Sequence, residues 1–239
     1  MLETGKAAAK GEDSVTITRE SLQDGSLLAA FRSRVLPNVQ LRSDAELEAS
    51  LDEMLSAQDP AADAWVFGYG SLMWNPAFRY AEQRTGTLHG WHRRFCFWLR
   101  MGRGSLDNPG LMLALDRGGT CRGLAFRIPA ADVRHEMLLV WRREMFGFTY
   151  LARWVTVRTE AGPVRAVTFV ANRKSDRYAG RLGDIEIIER IATARGELGT
   201  CVSYLRQTVG RLHALGLRDA GLERLGRAVK EHHPASVVT

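Results

Sequence analysis

Residues 65–78, WVFGYGSLMWNPAF, mark where the chain changes character. Three apolar residues, Trp65, Val66 and Phe67, read as a short strand over 65–68, and Gly68-Tyr69-Gly70-Ser71 then turns the backbone toward Asn75-Pro76. Ahead of this stretch the apolar residues repeat with helical spacing. Beyond it they come in short, strand-like runs.

Downstream, strands are expected at 87–100, 111–117 and 120–128, with Gly118-Gly119 as a hairpin turn between the last two. Another hairpin, 150–158 and 164–171, turns across Ala161-Gly162-Pro163. Between these sets, Pro129 is a favoured first helical residue, and the run after it predicts a helix of about four turns that stops at Gly147. From about Asp184 to Glu231 three apolar stripes predict helices: Ile185, Ile188 and Ile191; Val202, Leu205, Val209 and Leu212; then Leu222, Leu225 and Val229. Upstream, Ser43 and Glu46 form a capping box for a helix that presents Leu47, Leu51, Met54 and Leu55 on one face. Residues 1 to about 15 read as a mobile arm, and 1–62 together as an appendage packed on residues 63–239. The fold class is α+β: a mostly antiparallel twisted sheet or small β-barrel with surrounding helices.

Composition excludes several classes. A net charge of +6, from 33 basic and 27 acidic residues, is spread along the chain, and the basic stretch HGWHRRFCFWLR alternates like a buried strand. That pattern argues against nucleic-acid binding. Cys96, Cys121 and Cys201 are too few and too scattered for a disulfide framework or a zinc pair, so a reduced, cytoplasmic setting is expected. The first residues lack an apolar signal core and no run is long enough for a membrane span. Nothing in the sequence assigns an oligomeric state.

The loop at 68–72 completes none of three familiar signatures. A dinucleotide fingerprint would need glycine where Met73 stands, a Walker loop would need a Gly-Lys pair, and a nucleophile elbow on Ser71 would need glycines at Tyr69 and Met73. Two readings stay open: backbone N–H groups offered to an anion, or a tight glycine turn. In the central helix Val133, Met137, Val140 and Trp141 form the apolar stripe, and its continuation lands on Glu144. Glu144 therefore points inward, while Glu136, Arg142 and Arg143 face elsewhere. An inward carboxylate is either a proton-transfer group with a raised pKa or half of a buried ion pair. His89 and His92 sit at odd spacing, His232 and His233 lie at the C-terminal end, and no metal-binding set is expected. Trp91, Phe95, Phe97 and Trp98 read as core. Tyr178 sits in a polar loop, as a usable hydroxyl or a surface tyrosine.

Taken together, the loop, the glutamate and the tyrosine resemble the ChaC-type γ-glutamylcyclotransferase family. VFGYGSLMWNP is similar to its opening strand and loop, VWRREMFGFTY to its glutamate-bearing segment, and RYAGRLGDIEIIERIATARGELGTCVSYL to its closing loop and helices. Cys201 and Ser203 depart from the family's common Asn-x-Glu before Tyr204. The resemblance implies cleavage of the γ-glutamyl amide of glutathione to 5-oxoproline and Cys-Gly, with Glu144 catalytic and Tyr69, Gly70, Ser71, Leu72 and Tyr178 binding substrate. It implies no cofactor and no metal. Arg94 and Arg103 are candidates for the glycine carboxylate. Other γ-glutamyl amines or amino acids as substrates, and a non-catalytic γ-glutamyl-binding regulator, are the alternative readings.

Overall fold

A computed structural model describes residues 17–33 and 40–232. The expected arm at 1–15 lies outside the described residues. The strand read from Trp65 is β1 (Ala64–Gly68), and its unbroken apolar run is explained by a neighbour on each side. It pairs antiparallel with β3 (Gly110–Ile128), Val66 facing Phe126, and parallel with β5 (Gly162–Ala171), Val66 facing Val167. With β2 (Glu82–Leu99) and β4 (Tyr150–Thr159) the strands close a barrel in the order β1-β3-β2-β4-β5. The β1–β5 contact closes the cylinder and leaves no sheet edge for β1 to expose.

The hairpin expected at Gly118-Gly119 is not formed. β3 runs unbroken through these glycines, paired with β2 from Glu82 opposite Arg127 to Leu99 opposite Gly110. Gly118 and Gly119 have φ of 97° and 70° and lie across from a register shift between His89 and Trp91. Left-handed glycines suit a bulge as well as a turn, and here they coil a long ribbon around the barrel. The reversal lies instead between Leu99 and Gly110. The β4–β5 hairpin forms as expected, with Thr159 paired to Gly162.

The central helix α4 (Val133–Glu144) follows a short 3-10 turn and stops three residues before Gly147. The carbonyls just past its end are taken up by Arg42: Nη1 donates to Met145 O and Gly147 O, both at 2.6 Å, and the Arg42 amide donates to Phe146 O at 2.8 Å. Met137, Val140 and Trp141 are buried against the barrel, the Trp141 ring meeting Phe169 edge-on at 5.5 Å. The expectation for its neighbours needs correction. Glu136 and Arg143 are buried, because each has found polar partners inside the structure.

The capping-box helix, α3 (Asp44–Leu55), has both reciprocal hydrogen bonds and packs across α4, with Leu47 and Leu51 fully buried. Trp141 Nε1 donates to Ser50 Oγ at 3.1 Å across that contact. Two helices that the periodicity did not reveal, α1 (Arg19–Gln23) and α2 (Ser26–Ser33), precede it. They are too short for a periodic stripe to stand out. The C-terminal stripes form α5 (Asp184–Thr193), α6 (Cys201–Ala214) and α7 (Ala220–His232), with the small hairpin β6 (Arg195–Gly196) and β7 (Gly199–Thr200) between the first two. Ile191 is buried, but Ile185 is 75% exposed, on the first turn of α5 and off its packed face. No helix among the described residues is long and apolar enough to cross a membrane.

Leu51→Ala should destabilise the protein by about 2–5 kcal/mol, because the α3–α4 contact closes tightly around that side chain. Urea denaturation of the variant checks this, and a change below about 1 kcal/mol would mean that α3 is not part of the cooperative fold.

Candidate active site

At the C-terminal end of β1 the chain leaves the barrel at Gly68 and enters a 3-10 turn, Ser71–Met73. The turn's first hydrogen bonds use the amides of Met73 and Trp74, so those of Ser71 and Leu72 have no partner within it. Gly70 lets this backbone approach α6 closely: a Cβ there would lie 2.8 Å from the Tyr204 hydroxyl oxygen. The Ser71 amide lies beside that same hydroxyl.

A cavity of about 490 Å³ opens over this turn, within the range of small-molecule sites. Tyr69, Gly70, Ser71 and Leu72 all line it, and so does Glu144. The glutamate occupies the last position of α4, and its side chain keeps 14% exposure. Burial raises its pKa above 4.5, and the neighbouring Arg143 opposes this shift without cancelling it.

Arg143 joins the parts. Its side chain is 4% exposed and its Nε lies 3.1 Å from Glu144 Oε1. Nη2 donates to Ser71 Oγ at 2.8 Å, and Nη1 donates to the carbonyl of Asn75 and, at 3.3 Å, to that of Pro76. One planar guanidinium thus ties the end of α4 to the turn after β1. Glu144 is thus inward with a raised pKa, and at the same time half of a buried ion pair.

Three tyrosines surround the carboxylate. Tyr69 donates its hydroxyl to Phe169 O at 2.8 Å and Tyr150 to Leu113 O at 2.9 Å, both committed to backbone. Burial raises all three phenols, including Tyr204, and the Glu144 charge adds to it. They stay neutral at physiological pH. Arg103 reaches the cavity from the loop after β2, and its guanidinium lies over the Tyr204 ring at 5.5 Å. Its Nη1 donates to Thr200 O at 3.0 Å and Ser203 Oγ at 2.8 Å, so its hydrogen-bond partners are neutral. Ser203, one of the two departures from the family pattern, is therefore a contact of a cavity cation. Cys201, the other, is fully buried behind it.

The structure does not bring Tyr178 to the cavity. Its hydroxyl donates to Asp116 Oδ2 at 2.9 Å, in a cluster where Asp116 also meets Arg94 and Arg173. That network clamps the 172–180 loop onto β3, and it occupies Arg94, which also donates to Gly180 O at 2.6 Å. Among the described residues no group of three or more His, Cys, Asp or Glu side chains is placed to hold a metal.

A family profile described as ChaC-like protein matches residues 64–232. The chain belongs to the ChaC-like family. It is 39% identical over 216 residues to the glutathione-specific gamma-glutamylcyclotransferase of Escherichia coli (strain K12), with 90% of this chain and 93% of that protein covered. With glutathione-specific gamma-glutamylcyclotransferase 1 of Mus musculus it is 32% identical over 185 residues, covering 74% and 82%. The fold is that of the crystal structure of a yeast gamma-glutamyl cyclotransferase specific to glutathione, with TM-score 0.67 and 19% identity over 74% of this chain and 100% of that one. In this ChaC-like chain, periodicity placed Arg143 on the wrong side and passed over Tyr150 and Tyr204. The neighbouring pair Arg143-Glu144 in WRREM was the available signal, because adjacent residues at a helix end can turn into the same cleft.

Gly70→Ala should fold yet lose ligand affinity, since its methyl group forces Tyr204 away from the turn. Adding Tyr204→Phe removes the clashing oxygen and should restore part of that loss. Calorimetric titration with glutathione checks the pair, and a double variant no better than Gly70→Ala alone would rule out the steric explanation.

Proposed function

We propose that this chain cleaves the γ-glutamyl amide of glutathione by intramolecular cyclisation, releasing 5-oxoproline and Cys-Gly. The observation that carries the reading is a single desolvated carboxylate, Glu144, held by Arg143 beside the Ser71 turn in one cavity. The glutathione-specific relatives, at 39% and 32% identity, support the same substrate.

The reaction needs little from the protein beyond placement. The substrate's α-amine attacks its own γ-carbonyl carbon, the new C–N bond closes a five-membered ring, and the old C–N bond breaks. Holding the chain folded back is the larger part of the barrier. Two of the three protons on the α-ammonium must reach the departing nitrogen. Glu144 accepts them and returns them, ending ionised as it began, which suits a carboxyl whose pKa is raised by burial. The amides of Ser71 and Leu72 supply donors for the α-carboxylate or the tetrahedral oxyanion. Tyr69 contributes its ring, and its hydroxyl oxygen remains able to accept. Arg103, with neutral hydrogen-bond partners, is placed to meet the glycine carboxylate. Tyr178 takes a supporting place, holding its loop through Asp116. Glutathione-rich, reducing cytoplasm is the setting this reading implies, and Cys96, Cys121 and Cys201 are all unpaired.

Glu144→Gln keeps the shape and removes the proton acceptor, so turnover should fall by about 10²–10⁴ while the melting temperature holds. A folded Gln variant with undiminished turnover would remove Glu144 from the chemistry. In the unaltered chain, activity should be lost as pH falls through the raised pKa of Glu144, with the midpoint above 4.5. The sign follows from the base being active only when ionised. An acid limb at or below that value would contradict the desolvated base.

The substrate reading is checked by incubating the enzyme with glutathione, γ-glutamyl-alanine and oxidised glutathione, and quantifying 5-oxoproline by mass spectrometry. Reduced glutathione should be the fastest by at least about tenfold, a preference that one well-placed ionic contact can supply. Equal turnover of γ-glutamyl-alanine would overturn the assignment.

A further inference from the structure

Residues 17–33 stand outside the span matched by the ChaC-like profile, and the chemistry above makes no use of them. Yet Ile17, Leu27 and Phe31 line the same cavity as Ser71 and Glu144. They belong to an apolar cluster of their own, with Leu22 and Leu139 at its centre and Met101, Phe146 and Leu198 against it. The Phe31 ring stacks on Phe146 at 5.2 Å with the planes 5° apart.

Polar ties to α4 and to the turn after β1 hold this segment in place. Arg19 donates from both terminal nitrogens to the two carboxylate oxygens of Glu136, at 2.5 and 2.6 Å. Burial pushes the Glu136 pKa up, but Arg19 and the Arg79 amide outweigh it and hold the carboxyl below its usual range. Arg142 Nη1 donates to the carbonyls of Leu22 and Gln23, both at 2.9 Å. Asn75 Nδ2 donates to the Ile17 carbonyl at 2.9 Å, and the carbonyl of this same Asn75 accepts from Arg143. The Ile17 backbone is thus one residue removed from the guanidinium that joins Ser71 to Glu144.

The cavity is polarised by this arrangement. Ser71, Asn75, Arg143 and Glu144 bring charge and hydrogen bonds from one set of elements, while residues 17–33 bring only hydrocarbon. Hydrocarbon gives nothing to the ammonium and carboxylate of a γ-glutamyl head. It suits the part of the substrate beyond the scissile amide, where glutathione carries a small, weakly polar thiol side chain.

We propose that Ile17, Leu27 and Phe31 form the leaving-group wall of the active site, contacting the residue whose amine departs and excluding water from the cavity. The proposal rests on the γ-glutamyl-cleaving reading of this pocket and adds a specificity role for the N-terminal segment. Ile17 is the most informative position: it is partly exposed and precedes α1, so its replacement perturbs the cavity more than the fold.

The test is made in the full chain carrying Glu144→Gln, so that binding is read without turnover. Dissociation constants are measured by calorimetry for glutathione and for γ-glutamyl-methylamide, whose leaving half is too short to reach the wall. Ile17→Trp fills that side and should weaken glutathione by at least about tenfold while changing γ-glutamyl-methylamide by less than about twofold. Ile17→Ala, which cannot overfill the site, should weaken glutathione by about threefold or more with the same indifference to the methylamide. A purely structural role would move the melting temperature and shift both ligands alike, or neither, and either result overturns the wall. Formation of 5-oxoproline by the unaltered chain reports separately on the reaction, which stands if the Ile17 result fails. Absence of that product, with neither ligand bound by the Gln variant, would remove both.

Discussion

A guanidinium buried to the extent of Arg143 has to find acceptors around its whole plane, and the site is organised by where it finds them. Ser71 Oγ, the carbonyls of Asn75 and Pro76, and the Glu144 carboxylate come from two elements far apart in sequence, yet one rigid fork fixes their relative positions. The turn after β1 and the end of α4 cannot shift independently without stranding a charge. This also sets the electrostatics. Without Arg143 the desolvated glutamate would be pushed further toward its neutral form, and with full solvation it would be an ordinary carboxylate. The observed balance, raised by burial and restrained by Arg143, lies between those limits.

That arrangement depends in turn on the closed barrel. Parallel pairing of β1 with β5, added to its antiparallel ladder with β3, buries β1 on both sides and fixes the point at which the chain emerges. The Tyr69 and Tyr150 hydroxyls donate to carbonyls of β5 and β3, so two of the three rings near Glu144 are extensions of the barrel. Tyr204 comes from α6 and touches the turn only because residue 70 has no side chain. Beside the buried carboxylate, the hydroxyls of Tyr69 and Tyr150 are thus already satisfied by backbone.

The N-terminal segment completes the enclosure from outside. Its apolar residues meet the cavity, and its polar ties run to Glu136 and Arg142 on α4 and to Asn75 on the turn. The same helix therefore presents Glu144 to the cavity at its end and anchors the covering segment along its length.

Sequence by itself determined the local pieces. The capping box at Ser43, the apolar stripe of α4, the strand before the Gly-Ser turn and the inward position of Glu144 follow from periodicity and backbone preference, which act over a few residues. The family resemblance rested on short ordered motifs of the same range. What only the tertiary structure decided were matters of partner. Gly118 and Gly119 are left-handed in a bulge or in a hairpin turn alike, and the pairing with β2 chose the bulge. Helical periodicity sent Arg143 to the surface, but acceptors contributed by the Ser71 turn drew it inward. Tyr178 carried a usable hydroxyl in a polar loop, and Asp116, distant in sequence, claimed it. Residues 17–33 showed too few turns for a pattern, and their place at the cavity comes from Arg19 meeting Glu136 across 117 residues of chain. Local preference cannot encode such contacts, because a buried polar group is satisfied by whichever partner the closed fold brings within reach.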